Sequence, residues 1–158
     1  MTVILLRHGR STANTAHTLA GRSEGVDLDE TGLEQARSVV DRIGELPVRA
    51  LVCSPLLRCR RTLEPLAERL GLQPVVADRL NEVDYGEWTG RKLSDLVSES
   101  LWQVVQQHPS AAVFPGGEGL ADVVADAGEG ELLVTVGDRH RQDLGHAVDG
   151  TDDGPGQL

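Results

Sequence analysis

Short apolar runs alternate with amphipathic stripes along the first half of the chain. Residues 2–6 are too continuously apolar for a half-exposed strand, so they predict a central parallel strand covered on both faces. Residues 50–53 predict a second buried strand, and residues 74–77 a third. Each run is short and bounded by polar or turn-forming residues, which is typical of the strands of a buried sheet.

Amphipathic helices are predicted between these strands. Asp29 can cap a helix that Gly44 ends, and a second helix begins near Leu57 and ends at Gly71. The apolar stripes are Ala36, Val39, Val40 and Ile43 in the first helix, and Leu63, Leu66, Ala67 and Leu70 in the second. Sequential strand–helix units of this length predict an α/β fold with a doubly wound, mostly parallel sheet flanked by helices.

The second half of the chain is less regular. Residues 79–90 are predicted to form an active-site loop, residues 93–107 a further helix, and residues 114–118 a turn. The segment 124–158 is dense in Gly and Asp, contains no Phe, Tyr or Trp, and offers only residues 132–136 as a candidate strand. We therefore predict an α/β domain over residues 1–123, followed by a tail that packs poorly and leaves the C-terminal part of the fold incomplete or atypical.

Charge is unevenly distributed along this acidic chain. The net charge of −10 argues against nonspecific nucleic-acid binding, which depends on clustered Lys and Arg. Residues 1–23 nevertheless hold three arginines and no acid, and so do residues 54–62. Because both segments lie at predicted strand ends, they indicate a focused anion site.

No membrane, metal or disulfide site is expected. Apolar stretches fall well short of the roughly 20 residues of a membrane span, and residues 2–6 are too short for a signal peptide, so a cytoplasmic protein is expected. Cys53 and Cys59 lack zinc-type spacing and are expected to be free thiols. The remaining histidines lack ligand-like partners, so neither a metal nor a cofactor is implied; they are His17, His108, His140 and His146.

Arg7, His8 and Arg58 follow the ends of two predicted strands, where open α/β sheets bind ligands. Neutral imidazole can attack phosphorus at neutral pH, because its unperturbed pKa is about 6.5, so His8 is a candidate nucleophile. One ring nitrogen must then be free while the other donates, and we expect a backbone carbonyl in the turn after Gly9 to accept. The two arginines supply forked donors that match phosphoryl oxygens.

The run Leu5-Leu6-Arg7-His8-Gly9-Arg10-Ser11-Thr12-Ala13-Asn14 resembles the histidine phosphatase superfamily, the phosphoglycerate-mutase-like fold, and the resemblance extends to about residue 123. It implies that His8 is the nucleophile and that Glu82, in the loop ending at Trp88-Thr89-Gly90, protonates the leaving oxygen. Asp84 in the same loop is the alternative acid. The phosphate- and substrate-binding residues that the resemblance implies are Arg7, Gly9, Asn14, Gly21 and Arg58. Arg10 departs from the family pattern, either favouring anionic substrates or pointing to solvent.

The resemblance fails in the last part of the chain. The family has a late strand that ends in Ser or Thr followed by His-Gly, and its histidine faces the transferred phosphoryl group. The nearest match here is Leu132-Leu133-Val134-Thr135-Val136-Gly137-Asp138, in which Val136 stands in the histidine's place. A shifted reading frame in a GC-rich gene and a natural truncation would both produce such an altered C-terminal part.

The resemblance implies a phosphomonoester hydrolase that acts on a small phosphorylated metabolite through a phosphohistidine, without a divalent metal. A phosphoglycerate-mutase-type transfer is the enzymatic alternative, disfavoured because the family's mutases usually carry a longer insertion around the substrate. The missing second histidine suggests a third hypothesis, a catalytically weakened protein that binds phosphorylated ligands. The expected partner is thus a small phosphorylated molecule, and a homodimer stays open.

Overall fold

The computed structural model describes residues 2–127 and 133–136, which form a four-stranded sheet with helices packed against it. The strands are β1 (Thr2–Leu5), β2 (Val48–Cys53), β3 (Val75–Val76) and β4 (Leu133–Val136). The helices are α1 (Thr12–Thr15), α2 (Glu30–Ile43), α3 (Leu57–Leu70), α4 (Leu93–Leu96), α5 (Ser100–Gln107) and α6 (Leu120–Ala127). Single 3₁₀ turns occur at Asp78–Leu80, Gly86–Trp88 and Pro109–Ala111. The predicted α/β fold is confirmed.

Three strands of the sheet run in one direction and β4 runs against them. The strand order is β1-β4-β2-β3, with β2 and β3 parallel and β4 antiparallel to both β1 and β2. Because β1 and β2 are each antiparallel to β4, they point the same way. The carboxyl ends of β1, β2 and β3 therefore lie at one edge of the sheet, and the loops that follow these ends can meet there.

The core between the sheet and helices α2 and α3 forms as the stripes predict. Asp29 accepts the backbone N–H of Gly32 and caps α2, which Gly44 ends. Gly71 ends α3 in the left-handed conformation, with φ +63°. The buried residues of this cluster are Val39, Leu51, Cys53, Cys59, Leu63, Leu66 and Ala67. Both cysteines are free thiols, as predicted.

The position of β1 differs from the prediction. Within the described sheet β1 is an edge strand, not a central one, since only β4 pairs with it. Val3 and Leu5 are 40% and 57% exposed, whereas Ile4 packs against the core cluster. Side chains alternate between the two faces of a strand, so the described residues cover only one face of β1. The continuous apolar run therefore does not mean burial on both faces here.

The helix predicted over residues 93–107 is two helices, α4 and α5. Ser98 donates its hydroxyl to the carbonyl of Asp95, and Glu99 is extended, with φ −75° and ψ 141°. A serine hydroxyl that bonds the nearby backbone competes with continued helix formation. The turn predicted over residues 114–118 is present, because the Phe114 N–H donates to the Glu118 carbonyl at 3.0 Å.

A second apolar cluster lies beneath the loop that follows β3. Trp88, Leu96 and Phe114 are its buried members, and Tyr85 packs edge-on against Phe114 with ring centroids 4.9 Å apart. Trp88 also contacts Phe114 edge-on, at 5.3 Å. This cluster fixes the loop from below, so the residues at its start can be presented at the carboxyl edge of the sheet.

The candidate strand at residues 132–136 is present as β4, and it runs antiparallel to β1. Val136 pairs with Thr2 and Leu133 with Leu5, so Val136 lies at the amino end of β1, away from His8. The predicted boundary after residue 123 falls in α6. Residues 128–132 and 137–158, which include His140 and His146, lie outside the described residues. Within the described ranges, no helix is both long enough and apolar enough to span a bilayer.

Candidate active site

A cavity of about 620 Å³ opens at the carboxyl edge of the sheet. The loops after β1, β2 and β3 each contribute to its wall. The lining residues are Leu5, Leu6, Arg7, His8, Ser54, Leu56, Arg58, Cys59, Leu80, Asn81 and Glu82. The structure thus brings together Arg7, His8, Arg58 and Glu82, four of the residues that the sequence singles out.

The His8 ring is oriented by its own loop. Nδ1 lies 2.8 Å from the carbonyl oxygen of Gly9, the type of acceptor expected from the sequence. Because a carbonyl only accepts, Nδ1 carries the hydrogen and Nε2 keeps its lone pair. Burial lowers the pKa of His8, and the charges of Arg58 and Arg7 lower it further, against the Gly9 hydrogen bond and Glu82. The lowered pKa favours the neutral ring, which is the form that can act as a nucleophile.

Gly9 lies where a larger residue does not fit. A Cβ at Gly9 would lie 2.6 Å from the carbonyl oxygen of Gly32 in the first turn of α2. The Gly9 N–H donates to the Thr62 hydroxyl at 3.0 Å, and this hydroxyl donates to the Arg58 carbonyl at 2.7 Å. Sequence reasoning missed Thr62, although its spacing of four residues from Arg58 places both on one face of α3.

Arg58 is the buried cation of the cavity, with 2% of its surface exposed. Its Nη2 donates to the Gly21 carbonyl at 3.0 Å and lies 3.8 Å from Oε2 of Glu82. Its Nη1 is buried and has no hydrogen-bond partner among the described residues. A buried, unpaired guanidinium nitrogen is costly, so its presence on a residue that lines the cavity indicates a site for an anion.

Glu82 faces Arg58 and is held by its neighbours. Its Oε1 accepts from the Tyr85 hydroxyl at 3.3 Å and from the Val83 N–H at 3.2 Å. Burial raises the pKa of Tyr85, and the Glu82 carboxylate raises it further, so Tyr85 remains a neutral donor. Asp84, the alternative acid, instead accepts the Gly86 N–H at 2.9 Å and does not line the cavity.

The other predicted residues take different positions. Gly21 is buried beside the cavity, with φ +49°, and its carbonyl accepts from Arg58. Asn14 does not line the cavity, because its Oδ1 accepts from the Ser11 backbone and hydroxyl at the start of α1. Arg10 is exposed, donates to Asp29 at 2.6 Å and does not line the cavity. Within residues 2–127 and 133–136, no three His, Cys, Asp or Glu side chains converge as a metal site.

Comparison with known proteins decides the family. Residues 3–131 match the model of the histidine phosphatase superfamily (branch 1). The chain belongs to this superfamily. The relatives of this chain within the superfamily bear the names of both mutases and phosphatases.

Two curated relatives and one crystal structure illustrate this range. The probable phosphoglycerate mutase GpmB of Photorhabdus laumondii is 34% identical over 124 residues, 77% of this chain and 57% of that protein. Phosphoserine phosphatase 1 of Hydrogenobacter thermophilus is 32% identical over 127 residues, 77% of this chain and 58% of that protein. The crystal structure of the alpha-ribazole phosphatase from Shigella flexneri matches with a TM-score of 0.71 and 25% identity, covering 78% of this chain and 62% of that one. The chain therefore spans less than three fifths of the length of these curated relatives.

Proposed function

We propose that the protein hydrolyses phosphomonoesters of small metabolites through a phosphohistidine at His8. Nε2 of His8 forms a bond to phosphorus while the ester oxygen leaves and takes a proton from Glu82. Water then attacks the phosphohistidine, gives its proton to the Glu82 carboxylate, and releases inorganic phosphate and the free imidazole. The observation that carries the proposal is that two residues line the same cavity: Arg58, whose buried Nη1 has no hydrogen-bond partner among the described residues, and His8, whose Nδ1 is held by the Gly9 carbonyl.

The charges around the cavity suit this reaction. Arg58 and Arg7 line the cavity, and positive donors there stabilise the charge that develops on the phosphoryl oxygens in the transition state. Glu82 lies 3.8 Å from Arg58, within reach of an oxygen of a phosphoryl group bound there. A bound phosphate dianion favours the protonated carboxyl of Glu82, so the substrate itself prepares the acid.

A phosphate-binding protein without turnover is the second candidate, and the direction of β4 supports it. The family's second histidine follows a late strand, whereas here Val136 lies at the amino end of β1. Removal of one donor to a transition-state charge typically costs about 10²–10³ in rate. A chain that lacks this group can still bind phosphate through Arg58 and His8.

Phosphoryl labelling tests the proposal. After incubation with aryl [³²P]phosphate, the protein should carry an acid-labile, base-stable label, and it should release inorganic phosphate with or without chelator. His8→Ala should abolish both, while His108→Ala, at the end of α5 and outside the cavity, should change neither. Phosphate binding without label or release would indicate the binding protein, and transfer of the phosphoryl group to a second position would indicate a mutase.

A further inference from the structure

The segment Gly21–Arg22 joins the two sides of the cavity wall. The Gly21 carbonyl accepts from Nη2 of Arg58 at 3.0 Å, and Nε of Arg22 donates to the backbone carbonyl of Glu82 at 2.6 Å. Two consecutive residues therefore hold both the buried arginine and the loop of the proposed acid. This arrangement fixes the separation of Arg58 and Glu82, whose Nη2 and Oε2 atoms lie 3.8 Å apart.

Glu118 braces Arg22 from the other side. Nη2 of Arg22 donates to both carboxylate oxygens of Glu118, at 2.8 and 3.0 Å. The same carboxylate accepts the Asp84 N–H at 3.0 Å, and the Glu118 N–H donates to the Asp84 carbonyl at 2.9 Å. Arg22 and Glu118 thus hold the Glu82 loop at three backbone atoms. Because these donors of Arg22 face protein acceptors and Arg22 does not line the cavity, it is not a substrate ligand.

The turn that supplies Glu118 docks closely on the same loop. A Cβ at Gly86 would lie 2.1 Å from the Pro115 carbonyl oxygen, and one at Gly117 would lie 2.3 Å from the Asp84 carbonyl oxygen. The contact is therefore between backbones, with no side chain to absorb a shift. If either the Glu82 loop or the turn that carries Glu118 moves alone, this backbone contact is lost.

We propose that Arg22, braced by Glu118, is a positioning residue that keeps the Glu82 carboxyl in place for proton transfer at the cavity. The proposal rests on the proposed function, in which Glu82 is the general acid. Loss of the Arg22 guanidinium frees the Glu82 carbonyl and leaves the Glu118 carboxylate with the Asp84 N–H but without its ion pair to Arg22. A misplacement of about 1 Å can cost about 10²-fold in rate, so the effect should appear in the step that needs the proton.

The test compares two substrates that differ in their need for an acid. An alkyl phosphate such as glycerol phosphate needs a proton on its leaving oxygen, whereas p-nitrophenyl phosphate needs much less help. Arg22→Gln and Glu118→Gln should each lower kcat for the alkyl ester about 10–100-fold and for the aryl ester less than about 3-fold. The double variant of Arg22→Gln with Glu82→Gln should be no slower than Glu82→Gln alone.

Arg91→Gln is the matched control. Arg91 makes a comparable ion pair with Glu99, at 2.7 Å, and these side chains are 37% and 39% exposed, close to the 36% of both Arg22 and Glu118. It lies outside the cavity wall. Its substitution should leave the ratio of the two rates unchanged.

The outcomes separate this proposal from the proposed function. If Glu82→Gln loses activity mainly with the alkyl ester but Arg22→Gln does not, the role of Arg22 is overturned and the proposed function stands. An equal loss of kcat with both esters in Arg22→Gln also overturns the role of Arg22. If the wild-type protein hydrolyses neither ester, the proposed function fails. Hydrogen exchange of the backbone amides of residues 81–88 then tests whether Arg22 holds the Glu82 loop in place. Faster exchange in Arg22→Gln but not in Arg91→Gln supports the positioning role of Arg22, whereas unchanged exchange in Arg22→Gln overturns it.

Discussion

The backbone N–H of Gly9 donates to the hydroxyl of Thr62 at 3.0 Å, across 53 positions of the sequence. The hydroxyl in turn donates to the Arg58 carbonyl at 2.7 Å. One buried hydroxyl therefore joins the loop of His8 to the first turn of α3. It fixes the separation between the proposed nucleophile and the buried cation.

Replacement of this hydroxyl should affect both stability and chemistry. Thr62→Val has nearly the same shape but leaves the Gly9 N–H buried without a partner, which should lower the free energy of unfolding by about 1–3 kcal/mol. It should also slow the labelling of His8. Urea unfolding and phosphoryl labelling measure the two effects. Thr62→Ser, which keeps the hydroxyl, should retain most of both, and a Val variant as stable as the Ser variant would contradict this role.

Local rules account for the parts of the fold that could be predicted. Asp29 at the start of α2 and Gly71 at the end of α3 act within a few residues of themselves, so their roles are visible in the sequence. The amphipathic stripes likewise need only the helical repeat. The contacts between Gly9 and Thr62 and between Arg22 and Glu118 join residues 53 and 96 positions apart, so they depend on tertiary packing that no local pattern encodes.

The same reason explains the errors. The run at residues 2–6 is apolar on both faces, but burial of Val3 and Leu5 depends on what packs on them, not on their own sequence. The cavity residues could be predicted because they follow strand ends. The structure shows the Asn14 side chain bonded to Ser11, and its role in substrate binding stays a prediction.

Arg58 should carry the response of the protein to phosphate. Arg58→Met removes the guanidinium and leaves the Gly21 carbonyl without its donor, so it should lower the free energy of unfolding by about 1–3 kcal/mol in the absence of phosphate. Phosphate at 100 times its dissociation constant should stabilise the wild type by about 2.7 kcal/mol and leave Arg58→Met unchanged. Arg60→Met, on the exposed side of α3, should keep the response to phosphate. Stabilisation of Arg58→Met by phosphate to the same extent as the wild type would contradict a role of Arg58 in binding the anion.

The protonation of His8 should follow its surroundings. Burial and the two arginines lower the pKa of His8 below 6.5, so the neutral ring should persist below that pH. Protonation of His8 should therefore lower kcat/KM only in more acidic solution. Arg7→Gln removes one positive charge and should raise the pKa of His8. Titration of the His8 ring by NMR in the free protein measures both values. An unchanged or lower value in Arg7→Gln would contradict the proposed proximity of these charges.

Asp29 should make the fold sensitive to acid. The Thr15 hydroxyl, the Gly32 N–H and Arg10 lower the pKa of Asp29 from 3.8 to about 2. A carboxyl whose pKa is lowered by folding contributes stability that is present above its unfolded value and is lost as the pH falls from 3.8 towards about 2. Asp29→Asn keeps an acceptor for the cap but cannot titrate, so its free energy of unfolding should fall less between about pH 5 and about pH 3. Parallel acid dependence in the two proteins would exclude Asp29 as a contributor.

Gly86 and Gly71 share a left-handed backbone but differ in the space around them, which separates conformational strain from the contact between loops. Both have positive φ, +51° and +63°, so alanine at either should cost about 1–2 kcal/mol for the conformation alone. A Cβ at Gly71 meets nothing within 4 Å, whereas one at Gly86 would lie 2.1 Å from the Pro115 carbonyl oxygen. Gly86→Ala should therefore cost about 2–5 kcal/mol, because overpacking adds to the strain. It should also slow hydrolysis of an alkyl phosphate more than that of an aryl phosphate, since the Glu82 loop must shift away from the turn that carries Glu118. Urea unfolding and the two rates measure these effects, and equal behaviour of the two alanine variants would show that the loops are not docked as the structure places them.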